Sequence, residues 1–171
     1  MKFRLSLSIV HYSLFILLLQ SCKVHYSFSG ASVASDVKTV SIQTFKNNAS
    51  LAPPTLSQSL TEAVKDIFTS QTNLGIVSSS GDLNFEGEIT NYLTSPVAIQ
   101  SNDQAALNRL TITVSVKFGN AKDEKQKFET TFSRYADYSS TQSLTAVQES
   151  LIEEINKQLV QDIFNKAMIN W

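Results

Sequence analysis

The sequence predicts an α+β fold, a two-layer sandwich in which two amphipathic helices pack on one face of a four-stranded mixed sheet. Two observations predict it. Three consecutive segments alternate apolar and polar residues, which indicates half-buried strands, and two further segments carry apolar residues at helical spacing. With 171 residues, 42% of them hydrophobic, the chain has the size of one globular domain. The apolar sheet face needs a cover and the helices are the candidates for it, so the other face is expected to stay open and polar.

The predicted element order is β-α-β-β-β-α, and its first strand covers residues 37–45, where Val40 and Ile42 share a face. A turn-rich connection, "KNNASLAPP", follows it. Residues 55–69 then carry apolar side chains at helical spacing and form the first helix, with Thr55 and Gln58 fitting a capping box. The short apolar piece "LGIV" at 74–77 is expected to be extended and is not counted as a strand.

Three alternating segments provide the remaining strands: "DLNFEGEITNYL" at 82–93, "LTITVSVKF" at 110–118 and "KFETTFSRYADY" at 127–138. A charged hairpin tip, "GNAKDEKQ", separates the last two. The aromatic residues change phase after Arg134, which predicts a bulge. The long amphipathic segment from Leu144 to Met168 is the second helix, with Asp162 and Lys166 forming an i,i+4 pair on its polar face.

The N-terminus has the layout of a secretory signal peptide. Lys2 and Arg4 give a short positive segment, residues 9–19 are mostly apolar, and the small residue Ser21 precedes Cys22, the only cysteine of the chain. This apolar run is too short for a stop-transfer helix. The sequence therefore divides into a signal peptide (1–21), a cysteine with a polar tether (22–36) and one α+β domain (37–171).

The stretch Leu19-Gln20-Ser21-Cys22 resembles the lipobox of bacterial lipoproteins. The resemblance implies that the Cys22 sulfur receives a diacylglyceryl group and that cleavage leaves Cys22 as the acylated N-terminus. Two or three acyl chains give a stable membrane anchor. An aspartate directly after the cysteine resembles the retention signal of inner-membrane lipoproteins. This chain has Lys23 at that position, so the resemblance implies that the protein lies in the outer membrane. The alternative is an ordinary signal peptide with an unmodified cysteine.

Candidate catalytic groups are few. After removal of the signal peptide, His25 in the tether is the one remaining histidine and no cysteine nucleophile is left beyond the anchor. Glu86 and Glu88 share a strand face, but strand periodicity alone places them there. The sequence has no metal-ligand spacing and no phosphate-binding glycine loop, and its net charge of −1 gives no field suited to nucleic acid. We therefore expect a protein that is not an enzyme, needs no cofactor and does not bind nucleic acid.

Two segments are candidates for binding. Residues 94–108, "TSPVAIQSNDQAALN", form a long connection whose apolar residues Val97 and Ile99 suit docking to a partner; alternatively, the segment folds back over the core or extends the strands. Lys122, Lys125 and Lys127 at the hairpin tip suit contact with phosphates, or else serve solubility alone.

Six fragments of the sequence, taken together, carry a resemblance to a known family: "CKVHYSFSGASV", "PTLSQSLTEAVKDIFTSQTNLGIV", "GDLNFEGEITNY", "ALNRLTITVSVKF", "FSRYADY" and "LIEEINKQLVQDIFNKAMINW". In this order they resemble the LptE family of lipopolysaccharide-assembly lipoproteins. The resemblance covers nearly the whole mature chain. It implies a non-enzymatic protein of the outer membrane that sits as a plug in the LptD barrel, helps that barrel assemble and takes part in inserting lipopolysaccharide. Binding of lipopolysaccharide, also implied, is expected to use the basic residues Arg109, Lys122, Lys125 and Lys127.

Two other functions are compatible with a small lipid-anchored domain. One is a regulator that reaches across the periplasm to a cell-wall synthase, although the roughly 14-residue tether has an r.m.s. reach of only about 20 Å. The other is a carrier of single lipid molecules, which needs an enclosed apolar cavity. The large inward side chains are expected to fill that space. The mature domain is thus expected to face the periplasm or to lie within a partner barrel.

Overall fold

The computed structural model describes residues 34–99 and 105–168. The predicted signal peptide, Cys22 and most of the tether lie outside these residues. The described chain contains six strands and two helices: β1 Thr39–Ile42, β2 Lys46–Asn47, α1 Thr55–Gln71, β3 Gly75–Val77, β4 Leu83–Ile99, β5 Ala105–Asn120, β6 Phe128–Ser139 and α2 Leu144–Met168. Among the described residues, no helix combines the length and apolar character required to cross a membrane.

The predicted class is confirmed, since two helices accompany a mixed open sheet, but the predicted count of four strands is wrong. The sheet order is β3-β1-β4-β5-β6, with β2 also paired to β4. β1 pairs in parallel with both β3 and β4, whereas β4, β5 and β6 form an antiparallel meander. The two strands that were missed are three and two residues long, too short to show a periodic pattern.

The predicted first strand, residues 37–45, is interrupted after Ile42 because the chain turns inward at Phe45. The Phe45 ring occupies the space above Gly87, where a Cβ atom would stand 2.4 Å from the ring. Its backbone bonds to α1 instead of the sheet: its N–H donates to Thr61 Oγ1 (3.0 Å) and its C=O accepts from the Ser57 hydroxyl. β2 then resumes the pairing with β4.

The core lies between the helices and one face of the sheet. Along β5 the even-numbered residues from Leu110 to Phe118 are buried, whereas the odd-numbered residues from Leu107 to Lys117 are exposed or half-buried. Aromatic rings link the two layers: the Phe68 ring of α1 lies 4.9 Å from Phe85 and 5.1 Å from Phe164. Large side chains therefore fill the space between sheet and helices, as expected.

Helix α2 begins and ends at the predicted residues, Leu144 and Met168. Two local predictions are wrong. Thr55 and Gln58 form no capping box, because α1 begins without a side-chain cap at Pro54. Asp162 makes its ion pair with Arg134 of β6 (2.5 Å). That partner lies 28 residues away in sequence, so spacing within the helix does not reveal it.

Asp82 fastens the start of β1 to the start of β4. Its Oδ2 accepts from the backbone N–H groups of Lys38 (2.8 Å) and Thr39 (3.0 Å) and from the Thr39 hydroxyl (3.0 Å). Lys122 Nζ lies 3.1 Å from Oδ1. These bonds, that of the Lys38 amide above all and then that of Lys122, hold the pKa of Asp82 far below its ordinary value of 3.8.

We expect Asp82→Asn to lower the Tm by several degrees at pH 7, because the amide retains a single acceptor oxygen and loses the charge. A depressed native pKa stabilises the fold above the unfolded-state pKa, and this stabilisation is lost as the carboxylate is protonated. The Tm difference between wild type and variant should therefore narrow as the pH falls below 3.8. Thermal unfolding of both proteins at pH 7 and pH 3 measures it. A difference that does not change with pH would contradict this role.

Candidate functional site

The face of the sheet opposite the helices is uncovered, and we call the part formed by β4, β5 and β6 the open face. Its middle is polar, as predicted: Thr113 of β5 pairs with Ser133 of β6, and their hydroxyl oxygens are 3.0 Å apart. Ser115 pairs with Thr131 in the next row of this face. Threonine and serine thus give the open face hydrogen-bonding groups without net charge.

One end of the open face is apolar. Leu93 and Tyr135 are each 49% exposed and Leu107 is 40% exposed. Leu93 and Tyr135 lie in one row on either side of Thr111, and Leu107 pairs with the half-buried Val97. We call Leu93, Val97, Leu107 and Tyr135 the apolar end. Because three of the five large exposed hydrophobic residues of the described chain meet here, it is the best candidate for contact with another molecule.

Arg109 lies within the apolar end. Its guanidinium donates two hydrogen bonds to Asp137, from Nε to Oδ1 (2.7 Å) and from a terminal nitrogen to Oδ2 (2.9 Å), and it stacks 3.5 Å from the Tyr135 ring centroid. The hydrogen bonds of this pair raise the pKa of Arg109 and lower that of Asp137. Arg109 therefore holds Tyr135 in place and keeps three N–H groups that Asp137 does not occupy.

The predicted connection 94–108 is mostly strand, so its interpretation as a long loop is wrong. β4 continues to Ile99 and β5 begins at Ala105, and the two strands pair from Val97–Leu107 to Ile99–Ala105. Pro96 and the polar residues of this segment are typical of a loop. Beyond Asn91, however, β4 pairs with β5 on one side only, and within the described chain no strand lies along its other edge. Proline is tolerated at such an edge because its missing N–H group is not needed for pairing. The alternative that the strands are extended is confirmed.

Of the two predicted docking residues, the structure places Val97 on the open face beside Leu107. Ile99 belongs to β4, and its side chain lies outside the described part of the structure. Leu93, Leu107 and Tyr135 were not predicted. The sequence does carry a signal for Tyr135, namely the change of phase of the aromatic residues after Arg134, but this change predicts a bulge in β6. β6 instead pairs with β5 in constant register, and the irregularity lies in β4 between Ile89 and Asn91.

The four basic residues expected to bind lipopolysaccharide do not form one cluster. Arg109 and Asn120 are eleven residues apart on β5, about 37 Å at 3.4 Å per residue, and the lysines follow Asn120 at the turn between β5 and β6. Lys122 is engaged with Asp82. Lys125 and Lys127 are exposed and make no ion pair with any described residue. The turn therefore offers two lysines to an anion, at the opposite end of the sheet from Arg109.

Glu86 and Glu88 share the open face, as predicted, and line a shallow pocket of about 170 Å³ together with Lys46, Lys117 and Glu129. Gln43 donates to Glu86 (3.0 Å) and Asn48 donates to Glu88 (2.7 Å). Within residues 34–99 and 105–168, no three His, Cys, Asp or Glu side chains are grouped so that they could hold a metal ion. The pair therefore behaves as a hydrogen-bonded, solvated face.

Comparison with known proteins identifies a family. A family model, "LptE: Lipopolysaccharide-assembly", matches residues 37–167. No curated protein matches the chain.

Several solved structures resemble the fold. A hypothetical protein from Chlamydia trachomatis is 10% identical with a TM-score of 0.55, covering 78% of this chain and 99% of that one. A protein from Xanthomonas campestris is 10% identical with a TM-score of 0.54, covering 80% and 89%. A minor lipoprotein from Acinetobacter baumannii is 14% identical with a TM-score of 0.51, covering 78% and 94%. At such low identity these likenesses show the fold alone.

Proposed function

The chain belongs to the LptE family of lipopolysaccharide-assembly proteins, and from this premise we propose that it is a lipid-anchored outer-membrane component that plugs an LptD-like barrel. The family is one of non-catalytic lipoproteins. In this proposal the chain helps the barrel assemble and takes part in inserting lipopolysaccharide into the outer membrane. The observation that carries the proposal is the open face: an uncovered polar sheet, apolar at one end, within a domain that the family model matches almost throughout.

The open face suits a barrel lumen in two ways. A barrel interior is polar and water-lined, and the threonine and serine rows of β5 and β6 match such surroundings. The apolar end supplies the hydrophobic contact that a stable complex needs, with Arg109 and Tyr135 as the residue types that dominate binding energy at interfaces. We therefore assign the apolar end to the barrel contact.

Attachment to the membrane rests in this proposal on Cys22. The sulfur carries a diacylglyceryl group, and the short tether that follows keeps the domain beside its own membrane. The partner accordingly lies in the same outer membrane.

Contact with lipopolysaccharide is assigned to the basic residues. Lys125 and Lys127 make no ion pair with a described residue and can bind a phosphate group. Lys122 binds the phosphate as well when its ion pair with Asp82 breaks. Arg109 is assigned to the barrel contact instead, because it stacks on Tyr135 within the apolar end and lies at the opposite end of the sheet from the lysines. Replacing the three lysines with glutamine should weaken lipopolysaccharide binding and its salt dependence, whereas an unchanged, salt-insensitive affinity would refute this assignment.

A pull-down tests the barrel contact. With a tag after Trp171, the outer membrane is extracted in mild detergent and the proteins that co-purify in stoichiometric amounts are identified. Wild type should recover a large β-barrel. The double variant Leu93→Lys/Tyr135→Lys should recover at least about tenfold less, because two charges enter the apolar contact. Both side chains are about half exposed, so the Tm should change little.

The matched control is Leu51→Lys, which adds a charge at a residue that is 73% exposed and remote from the open face in sequence. It should recover the barrel as wild type does. Recovery of a cell-wall synthase in place of a barrel would overturn the proposed function. Equal recovery by wild type and the double variant would remove the apolar end from the interface.

A further inference from the structure

The sheet ends at β6, whose outer edge has no strand beside it in the described part of the chain. β6 runs for 12 residues and pairs with β5 in constant register from Phe128 to Ser139. The opposite edge, β3, is three residues long. An edge strand leaves half of its backbone N–H and C=O groups unpaired, and brevity is one device that protects such an edge. β3 has this protection and β6 does not.

Several other protective devices are also missing from β6. Its sequence, "FETTFSRYADYS", contains neither proline nor lysine, and its register contains no bulge. Its three charged side chains are all held by ion pairs within this chain. Glu129 pairs with Lys117 (3.6 Å). Arg134 pairs with Asp162 (2.5 Å), and Asp137 pairs with Arg109 (2.7 Å). Of the three, Arg134 alone lies on the helix-facing side of β6, where an inward-pointing charge is the one protective device that this edge has.

A groove runs beside this edge, between β6 and α2. Thr131, Phe132, Ser133 and Arg134 form its strand side, and α2 contributes Asp162, Asn165 and Lys166. The half-buried Phe132 gives it an apolar surface on the helix side, whereas Thr131 and Ser133 point to the open face. The groove therefore fits an extended segment that places an apolar side chain over Phe132, polar or charged side chains beside Arg134, Asp162 and Lys166, and polar residues toward the open face.

We propose that β6 accepts an added strand from the partner barrel protein, which extends this sheet by one strand. The inference rests on the proposed function. A row of unpaired backbone groups at strand spacing is complementary to another extended backbone. A closed barrel wall has no free edge to offer. The added strand therefore belongs to a segment outside the wall, such as a loop or terminal segment folded into the lumen.

Proline substitution tests this pairing. In an antiparallel strand, one of the neighbours Thr130 and Thr131 directs its N–H toward β5 and the other directs it outward. Thr130→Pro and Thr131→Pro are compared, and the variant with the wild-type circular dichroism spectrum and a near-native Tm identifies the outward position. That variant should recover at least about tenfold less barrel protein. Alanine at the same position, which keeps the N–H group, should recover the wild-type amount.

Hydrogen exchange gives a second readout that needs no substitution. Peptides covering residues 128–139 of the wild-type chain should exchange more slowly in the complex than in the free chain, while peptides of α1 serve as the reference. Unchanged exchange in β6, together with full recovery by the folded proline variant, overturns the edge pairing and leaves the proposed function standing. Failure of wild type to recover any barrel overturns both. Slower exchange with rising concentration of the chain alone, with a dimer mass, assigns the edge to a second copy and also overturns the proposal.

Discussion

Phe68→Ala is expected to lower the free energy of unfolding by about 3–5 kcal/mol, the usual cost of removing a fully buried phenylalanine. The Phe68 side chain is completely inaccessible to solvent. Its ring contacts both the sheet, through Phe85, and α2, through Phe164. Alanine would leave a cavity where both layers and both helices meet. A loss of this size is a large part of the total stability of a small domain.

Chemical denaturation of the purified proteins measures this loss. Leu51→Ala serves as the control, because Leu51 is 73% exposed and truncation of such a residue changes stability by less than about 0.5 kcal/mol. A loss below about 1 kcal/mol for Phe68→Ala would mean that the core closes over the space, and that the aromatic contacts between the layers contribute little.

Cys22→Ser is expected to move the protein from the membrane to the soluble periplasmic fraction. Serine has no sulfur to receive the diacylglyceryl group, so the variant lacks the proposed lipid anchor. Each buried methylene contributes about 0.8 kcal/mol, so loss of two or three acyl chains removes nearly all of the affinity for the membrane.

Labelling with radioactive palmitate and fractionation of the cells measure the two effects together. His25→Ala, three residues away in the tether, is the matched control and should remain labelled and membrane-bound. Persistent labelling of Cys22→Ser would show that the lipid is attached elsewhere, and the division of the chain at residue 22 would then be wrong.

Periodic segments were the most predictable part of the fold. The residues of α2 were predicted correctly because 25 residues give seven turns of a consistent apolar stripe. Residues 110–118 of β5 were predicted for the same reason, at a period of two, whereas its first residues were assigned to a loop. β2 and β3 were missed because strands of two and three residues are stabilised by their neighbours β4 and β1 and not by a pattern of their own. Segment 94–108 was predicted to be a loop because Pro96 and its polar neighbours are typical of loops, and the sequence alone does not show that β4 and β5 pair there.

The candidate site was less predictable, since its geometry depends on residues far apart in sequence. Arg109 was singled out as a cation, but its pairing with Asp137, 28 residues later, follows from the register of β5 and β6. Leu93 and Tyr135 become neighbours across Thr111 by the same register. Polarity of the open face, in contrast, was predicted from alternation within single strands.

The parallel pairing of β1 has a consequence for the order in which the sheet folds. β1 lies inside the sheet, and its Val40 pairs with Ile76 and with Leu83, both of which come later in the chain. If the chain folds as it appears from the N-terminus, β1 cannot pair until β3 and β4 have also appeared. The β4–β6 meander forms from contacts between strands that follow one another directly in the sequence. β1 is therefore expected to be fixed in the sheet only after the meander that it borders has formed.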